Sequence, residues 1–420
     1  MKEIVVAVEV GPAIMAAAAA SKTPDGKLNL LAVETCDTPK DAVCNGLIVK
    51  PNDVAGCLPK LLRCLTNRLG ASVQITGFYT SLACRSLTTV RVGVPRVLDS
   101  SEAITSEILS QMRTEALAQL PSGYEPHGIL SESYALDGDD TDNPIGAIGG
   151  YLLGTFAVAC ARPDCAGTVR RCVALLNDYK MYDCLLAPQM AAEAVTSPAD
   201  REAGCAVVDF GIGCTSVAVY THGALAHVAV IPLGGRHITS DLMSLGLSEK
   251  EAESLKPLFG KKFGSEPKKN EKLKFPADAA GNERVLEIER IQHVCRARID
   301  EIMAYVMQHV AQAADPDTLA AGLVVTGGLA QMEHAAEIVA ASNKMQARVG
   351  SYADCVAGDS ETSCSNASVQ LIGLLLAAAD NCVEERKAEQ PAKNKKHGKS
   401  LLSAMKNKLG DLFSEENMGE

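Results

Sequence analysis

The hydrophobic positions change period several times along this chain. Two buried-strand runs come first, EIVVAVEVG (3–11) and AIMAAAAAS (13–21). They predict a hairpin whose small alanines suit a crowded centre. KLNLLAVETC reads as a third strand. Over 52–70 the spacing turns helical: Val54, Cys57, Leu58, Leu61, Leu62, Leu65 and Leu69 share one face. Asn52 or Asp53 is placed to cap this helix and Gly70 to follow it. From about 79 to 165 the pattern shifts to the strands LTTVRVGVPR, GILSESYALDG and GYLLGTFAVACA, with an amphipathic helix in SEAITSEILSQMRTEALAQL. This predicts a compact α+β unit inserted between β-rich neighbours. A helix over 163–180, the strand YDCLLAP and the helix QMAAEAV return to the first lobe.

The second half repeats the first. VVDFGIGCTSVAV (207–219) reads as strand, tight loop, strand, and pairs with ALAHVAVIPLGG across the turn THGA. Residues 256–284 are Lys-rich and punctuated by Pro and Gly, which predicts a mobile loop or hairpin. A long helix over 285–313 and a strand, Gly-Gly turn and helix in AAGLVVTGGLAQME follow. LIGLLLAAA (371–379) falls short of the ~20 apolar residues of a membrane span and reads as a core helix. Residues 386–400 form a polar, Lys-rich linker, and a short last helix precedes an acidic tail.

Composition narrows the function. With 420 residues the chain has room for two or more domains or a lobed α/β protein. A net charge of −11, 4% aromatics and no Trp argue against nucleic-acid binding. The 15 cysteines are never spaced as CxxC, and the opening MKEIVVAVEV reads as a strand rather than as a signal peptide. The cysteines are expected to be reduced, mostly buried thiols of a cytosolic protein. His127, His222, His227 and His237 show no metal-ligand spacing and read as surface or turn residues.

Candidate chemistry lies in three glycine turns: Gly11 after Glu9, Gly211 and Gly213 after Asp209, and Gly327 with Gly328 after Thr326. Without a Cβ, such turns let backbone N–H groups face phosphate oxygens. Any one of them is weak, since a glycine turn is more often simply a turn. Their order resembles the actin, Hsp70 and sugar-kinase superfamily, whose two phosphate loops and adenosine loop follow one another in this way. VAVYTHGALAHVAVIPLGGRHITSDL, SESYALDG with NPIGAIGG, PQMAAEAV and VVTGGLAQME sharpen it to the bacterial FtsA family, over about residues 3–385. The resemblance implies a two-lobe actin-like fold, a duplicated ribonuclease-H-like α/β architecture with an inserted α+β subdomain (1C) and a C-terminal amphipathic helix. It divides the chain into subdomain 1A (1–78, 166–203 and 356–385), 1C (79–165), 2A (204–248 and 319–355), 2B (249–318), a linker (386–400), a membrane helix (401–413) and an acidic tail (414–420).

FtsA proteins are ATP-binding, polymer-forming scaffolds on the cytoplasmic face of the cell membrane at the division site. They hold the FtsZ ring there and recruit later division proteins. The resemblance therefore implies ATP with Mg²⁺ at Glu9, Gly11, Asp209, Gly211, Gly213, Thr215, Gly234, Gly235, Gly327 and Gly328, with Glu9 and Asp209 nearest the metal. It implies an FtsZ C-terminal peptide on the long helix at Arg296, Arg298 and Glu301, Arg298 standing at the arginine of the family's PRY run. A solvated charged face is the plainer reading of that helix. Self-assembly into filaments and partners on 1C are implied as well. In the last helix, Leu401, Leu402, Met405, Leu409, Leu412 and Phe413 share a stripe flanked by lysines such as Lys406. About 14 residues reach roughly 21 Å, too short to span, so the stripe fits an in-plane anchor on an anionic membrane. A helix docked on its own protein or a partner tail has the same pattern.

The departures from the family matter. Pro12, Ala13 and Ile14 stand where members often carry Thr or Ser and then Lys. Ile212 interrupts the second glycine run, Cys214 and Ser216 replace a Thr and an Asp, and Ala187 falls near the superfamily's water-positioning Glu or Gln. Pro12 lacks an N–H, and a lost carboxylate weakens a site for a hard cation. Binding can survive on backbone groups, whereas hydrolysis needs an oriented water and charge stabilisation, so weak or absent ATPase activity is expected. A pilus-assembly actin homologue of the PilM type, or a small-molecule kinase or phosphatase of the superfamily, are the alternatives.

Overall fold

A computed structural model describes residues 3–70, 72–99, 103–264, 271–276, 284–357 and 367–385. The terminal helix, its linker and the acidic tail lie outside these residues. The chain opens with β1 (Val5–Val10), β2 (Ile14–Lys22) and β3 (Leu28–Asp37), then the small hairpin β4 (Val43–Cys44) and β5 (Leu47–Ile48). Helix α1 (Pro51–Leu69) follows. It starts one residue earlier than the sequence pattern gives, because Pro51 pre-sets the first turn; no side chain caps it. After β6 (Val73–Ile75), β7 (Gly77–Leu82) joins the first sheet, whose order is β3-β2-β1-β7. Residues 79–82 thus belong to the first lobe's sheet, because β7 pairs in parallel with β1.

The inserted unit runs through β8 (Thr88–Val97), α2 (Ser106–Ala118), β9 (Glu125–Leu136), β10 (Asp139–Thr141) and β11 (Tyr151–Ala161). These strands make a four-stranded antiparallel sheet. Val94, Ile104, Met112, Leu152 and Phe156 form its own core. Helix α3 (Pro163–Ala174) is shorter than expected, and β12 (Lys180–Leu186) closes the first sheet beside β7. Next come α4 (Ala187–Val195) and α5 (Pro198–Ala203), the latter held by a reciprocal Ser197–Asp200 capping box.

The second lobe contains β13 (Cys205–Phe210), β14 (Thr215–Thr221), β15 (Ala224–Ile231), α6 (Gly235–Met243) and α7 (Glu249–Lys262). Then come β16 (Lys272–Phe275) paired with β17 (Arg284–Glu287), and α8 (Ile288–Ala313). β18 (Leu323–Gly327), α9 (Ala335–Asn343) and β19 (Ala347–Val349) complete its sheet, in the order β15-β14-β13-β18-β19. Helix α10 (Val369–Ala377) and β20 (Val383–Glu385) end the described chain.

The two five-stranded sheets share one plan. In each, the first strand pairs antiparallel with a meander on one side and parallel with a crossover strand on the other. Crossovers of this kind need connections long enough to hold helices. Ala16–Ala20 are all buried in the first core. At Gly373 the backbones of α4 and α10 touch: a Cβ there would run into the Met190 carbonyl, so glycine alone permits this packing.

Three expectations need correcting. Cys84 and Cys165 form a disulfide, so the cysteines are not all reduced; twelve others among the described residues are free. His227 is buried, 3% exposed, and stacks on His309 with Nε2 and Nδ1 3.1 Å apart. The stretch 256–284, expected as a mobile loop or hairpin, begins with the end of α7 and does hold a hairpin strand, β16, and the long helix begins at Ile288 because 284–287 pair with β16 as the other strand.

Candidate functional site

The two lobes present their glycine loops at equivalent places. β1 ends in Glu9 and Val10, and the Gly11 N–H donates to the Ile14 carbonyl at 3.1 Å. β13 ends in Asp209 and Phe210, and the Gly211 N–H donates to the Cys214 carbonyl at 2.9 Å. A Cβ at either glycine would sit 2.8 Å from that carbonyl oxygen, which is why both tight loops need glycine. The loops also approach each other: a Cβ built on Gly213 would lie 3.8 Å from Pro12 Cγ and 3.6 Å from the Asn45 nitrogen.

Two acidic side chains stand at the loop bases. Burial pushes the Glu9 carboxyl up to about 7; the Ser368 hydroxyl, which donates to it, opposes this, and the nearby charge of Asp209 adds to it. Asp209 is raised above the usual carboxylate range by burial, opposed by the Thr326 hydroxyl donating at 3.1 Å. Each carboxylate accepts from one side-chain hydroxyl and Glu9 feels the charge of Asp209, so these two are the residues that could hold a divalent cation. Cys214 is held as a neutral thiol, pushed up to about 12 by burial and then by Asp209.

The remaining candidates pack around the second loop. The Thr215 hydroxyl donates to the Leu233 carbonyl at 2.8 Å. A Cβ on Gly234 would meet the Gly211 carbonyl at 2.5 Å, and Gly235 N–H donates to that same carbonyl at 3.0 Å. Gly327 has φ +78°, and a Cβ there would strike the Asp209 carboxylate and lie 2.5 Å from the Phe210 carbonyl. Gly328 N–H donates to Phe210 at 2.8 Å. Thus Gly211, Gly234, Gly235, Gly327 and Gly328 converge on one loop, while Glu9 and Gly11 come from the other lobe.

Beside that loop lies a cavity of about 340 Å³. Ile212, Ile238, Ile302, Leu329 and Met332 wall it, and Glu253, Lys256 and Gln331 are its side-chain polar groups. Lys256 pairs with Glu253 at 2.6 Å and reaches the Thr239 hydroxyl at 3.1 Å. Sequence reasoning missed Glu253 and Lys256. Their signal was present in Ala252, Leu255 and Phe259, buried at helical spacing on α7, and in the Ser248–Glu251 capping box. High charge and Pro257 within the helix concealed it.

Arg296 and Arg298 of α8 are already engaged. Arg298 grips Asp241 on α6 through two bonds, 2.6 and 3.0 Å, and also bonds Glu301. Arg296 pairs with Asp300 at 2.9 Å and lies over the Phe263 ring. Elsewhere, Val97, Ile145, Ile148 and Tyr151 leave an exposed apolar patch at one end of the inserted sheet. Among the described residues no helix is long and apolar enough to cross a membrane.

Comparison with known proteins agrees with this architecture. The family model described as "Cell division protein FtsA" matches residues 206–369. FtsA of Escherichia coli (strain K12) is 27% identical over 359 residues, 83% of this chain and 84% of that protein. In structure, the PilM of a PilM–PilN type IV pilus biogenesis complex superposes with a TM-score of 0.58 at 16% identity, covering 89% of this chain and 97% of that one. MreB 5 of Spiroplasma citri, solved bound to AMPPNP, superposes with a TM-score of 0.50 at 11% identity, over 89% and 95% of the two chains.

Proposed function

We propose that this chain, an actin-like member of the FtsA family, is a scaffold of cell division that carries a nucleotide in its second lobe and hydrolyses it slowly or not at all. The observation that carries this reading is the relation to FtsA across 83% of the chain. The 340 Å³ cavity beside the second glycine loop supports the nucleotide. Glu253 and Lys256 are its charged groups, and Glu9 with Asp209 would hold Mg²⁺. A bound cation would neutralise developing charge on a transferred phosphoryl group. This chain's own residues offer little else for hydrolysis: Ala187 cannot orient a water, and Pro12 and Ile14 supply neither cation nor extra donor.

In this reading the scaffold polymerises on the cytoplasmic face of the membrane at the division site. It holds the tail of FtsZ against α8 and recruits later division proteins through the inserted unit. The patch of Val97, Ile145, Ile148 and Tyr151 supports an interface on that unit. The lysine-flanked stripe Leu401–Phe413 supports the anchor. For the FtsZ peptide, Arg298 would have to exchange Asp241 or Glu301 for the incoming carboxylates.

Vesicle sedimentation tests the scaffold. The full chain should pellet with anionic liposomes and bring FtsZ with it, and deletion of 398–420 should leave both in the supernatant. Unchanged pelleting after the deletion refutes the anchor, and co-pelleting of FtsZ lacking its C-terminal tail refutes the tail contact. A steady-state ATPase assay should stay below about one turnover per minute, far under the ordinary enzymatic range of about 1–10³ per second.

The PilM-type reading shares the fold, but the sequence relation runs to FtsA. A small-molecule kinase would need an unengaged carboxylate base in the cavity. Glu253, its one acidic lining residue, is paired with Lys256.

A further inference from the structure

We infer that Cys84–Cys165 is a reversible thiol–disulfide site that sets how firmly the inserted unit is held against the second sheet. This rests on the cytoplasmic placement proposed above. Twelve other cysteines among the described residues are free, the exposed Cys64 included. Cys36 lies within electrostatic reach of Cys57 and Cys64, yet these three are not joined. A chain that keeps so many thiols fits a reducing compartment, where a disulfide is usually transient and redox-sensing.

Position decides what the bond does. The two cysteines are 81 residues apart, and the ring they close contains the whole unit from β8 to β11. Cys84 lies just before Leu87, whose carbonyl accepts from the Val230 N–H of β15 at 3.0 Å. Next along, the Thr89 hydroxyl donates to the Val228 carbonyl at 3.0 Å and accepts from the Val228 N–H at 2.8 Å. Cys165 lies in the first turn of α3. With the bond made, the segment entering the unit cannot leave α3, and residues 87–89 are held where β15 meets them. With the bond broken, non-covalent contacts alone keep them there.

The surroundings suit both states. Ser86 Oγ lies 3.5 Å from Cys84 Sγ and 3.2 Å from Cys165 Sγ, and it accepts from the Arg162 N–H at 3.1 Å. A free thiol at either position therefore has a hydroxyl partner at hand. Reduction is a two-step exchange with two thiol groups of a reductant, carried on one dithiol or on two small thiols. The first thiolate attacks Cys84 Sγ and the Cys84–Cys165 bond breaks. Cys165 leaves as a thiolate, which the positive end of α3 favours, and takes up a proton. The second thiolate then displaces Cys84, which is protonated in turn, and the reductant departs as its own disulfide. Two electrons and two protons have passed to the protein. A small disulfide such as oxidised glutathione reverses both steps. Cys84 is 1% and Cys165 3% exposed, so exchange proceeds through a local opening.

Thiol trapping and hydrogen exchange on the full chain test this. The chain is equilibrated in graded mixtures of reduced and oxidised glutathione, alkylated, and mapped by mass spectrometry. Cys84 and Cys165 should pass together and reversibly from bonded to alkylated across the series, with thermal melts cooperative throughout. On reduction, amide exchange at Val228 and Val230 should speed up by about tenfold or more. Cys84→Ser and Cys165→Ser should match the reduced chain. Exchange at Phe156, in the unit's own core, should change by less than about threefold. A bond that persists in every mixture, or that never forms, overturns the inference. So does reversible chemistry that leaves Val228 and Val230 equally protected in both states. None of these results alters the vesicle and FtsZ sedimentation, which tests the scaffold itself.

Discussion

The two glycine loops are the same device set in different surroundings. Each has an acid two residues before the glycine and an N–H closure onto the carbonyl three residues later. Each also exposes an isoleucine, though at different places: Ile14 where the first loop ends, and Ile212 directly after Gly211 in the second. The first is stitched down on β3: the Thr38 hydroxyl donates to the Gly11 carbonyl at 2.7 Å, and the Thr38 N–H donates to the Ala13 carbonyl at 2.9 Å. The second is stitched to the start of α6 and to Gly327–Gly328, and only it lines the 340 Å³ cavity. Loop geometry therefore says little about ligand binding. What decides it is which second element reaches the loop, and whether that element leaves space and donors behind.

Gly327→Ala probes the larger difference, since this residue supports only the second loop. Its positive φ and the collision with Asp209 and Phe210 should cost about 3 kcal/mol or more, read from urea midpoints at constant m-value. A cost below about 1 kcal/mol would mean that β18 does not clamp this loop. The acids come next. The folded pKa of Glu9, about 7, lies above its ordinary 4.5. Its contribution to stability is therefore fully present below about pH 4.5 and is lost as pH rises through 7. Glu9→Gln should flatten that loss by roughly 1–3 kcal/mol between pH 5 and pH 8. A parallel pH profile for mutant and wild type would contradict the buried-acid assignment. The matched pair Gly11→Ala and Gly211→Ala is the smallest test. Both place a Cβ 2.8 Å from a carbonyl oxygen, so each should cost about 1–2 kcal/mol, and nearly the same amount. A difference above about 1 kcal/mol would end the equivalence of the loops.

Much of this was readable before any coordinates. Continuous apolar runs marked the hairpins around both loops, and the seven apolar positions of α1 marked its buried face. The repeat of strand, loop and strand gave the duplicated sheets, because each half had to bury the same kind of first strand. What stayed hidden depends on long-range proximity. Cys84 and Cys165 are 81 residues apart in sequence, and nothing local marks them as partners. His227 looked like a turn residue, yet β15 turns it onto His309 of α8, where burial, His309 and Arg91 hold it neutral with a pKa lowered to about 4. Glu253 and Lys256 were hidden by the charge of their own helix. The site donors were the hardest to judge, since a glycine in a sequence does not show whether its N–H is already bonded.

The neck of the inserted unit has a mechanical consequence. Cys84, in the connection that leads into the unit, is tied to Cys165 in the first turn of α3, which leads out of it, with Cα atoms 6.0 Å apart. A few residues on, the Leu87 carbonyl accepts from Val230 N–H at 3.0 Å, and the Thr89 hydroxyl exchanges two bonds with the Val228 backbone. Farther along the same strand, Arg91 donates to the Ala313 carbonyl at the end of α8. The insertion is therefore a strut with one foot on each sheet. Any rotation that spreads the two sheets must break these bonds or swing the strut with them, and with it the open Ile148 and Tyr151.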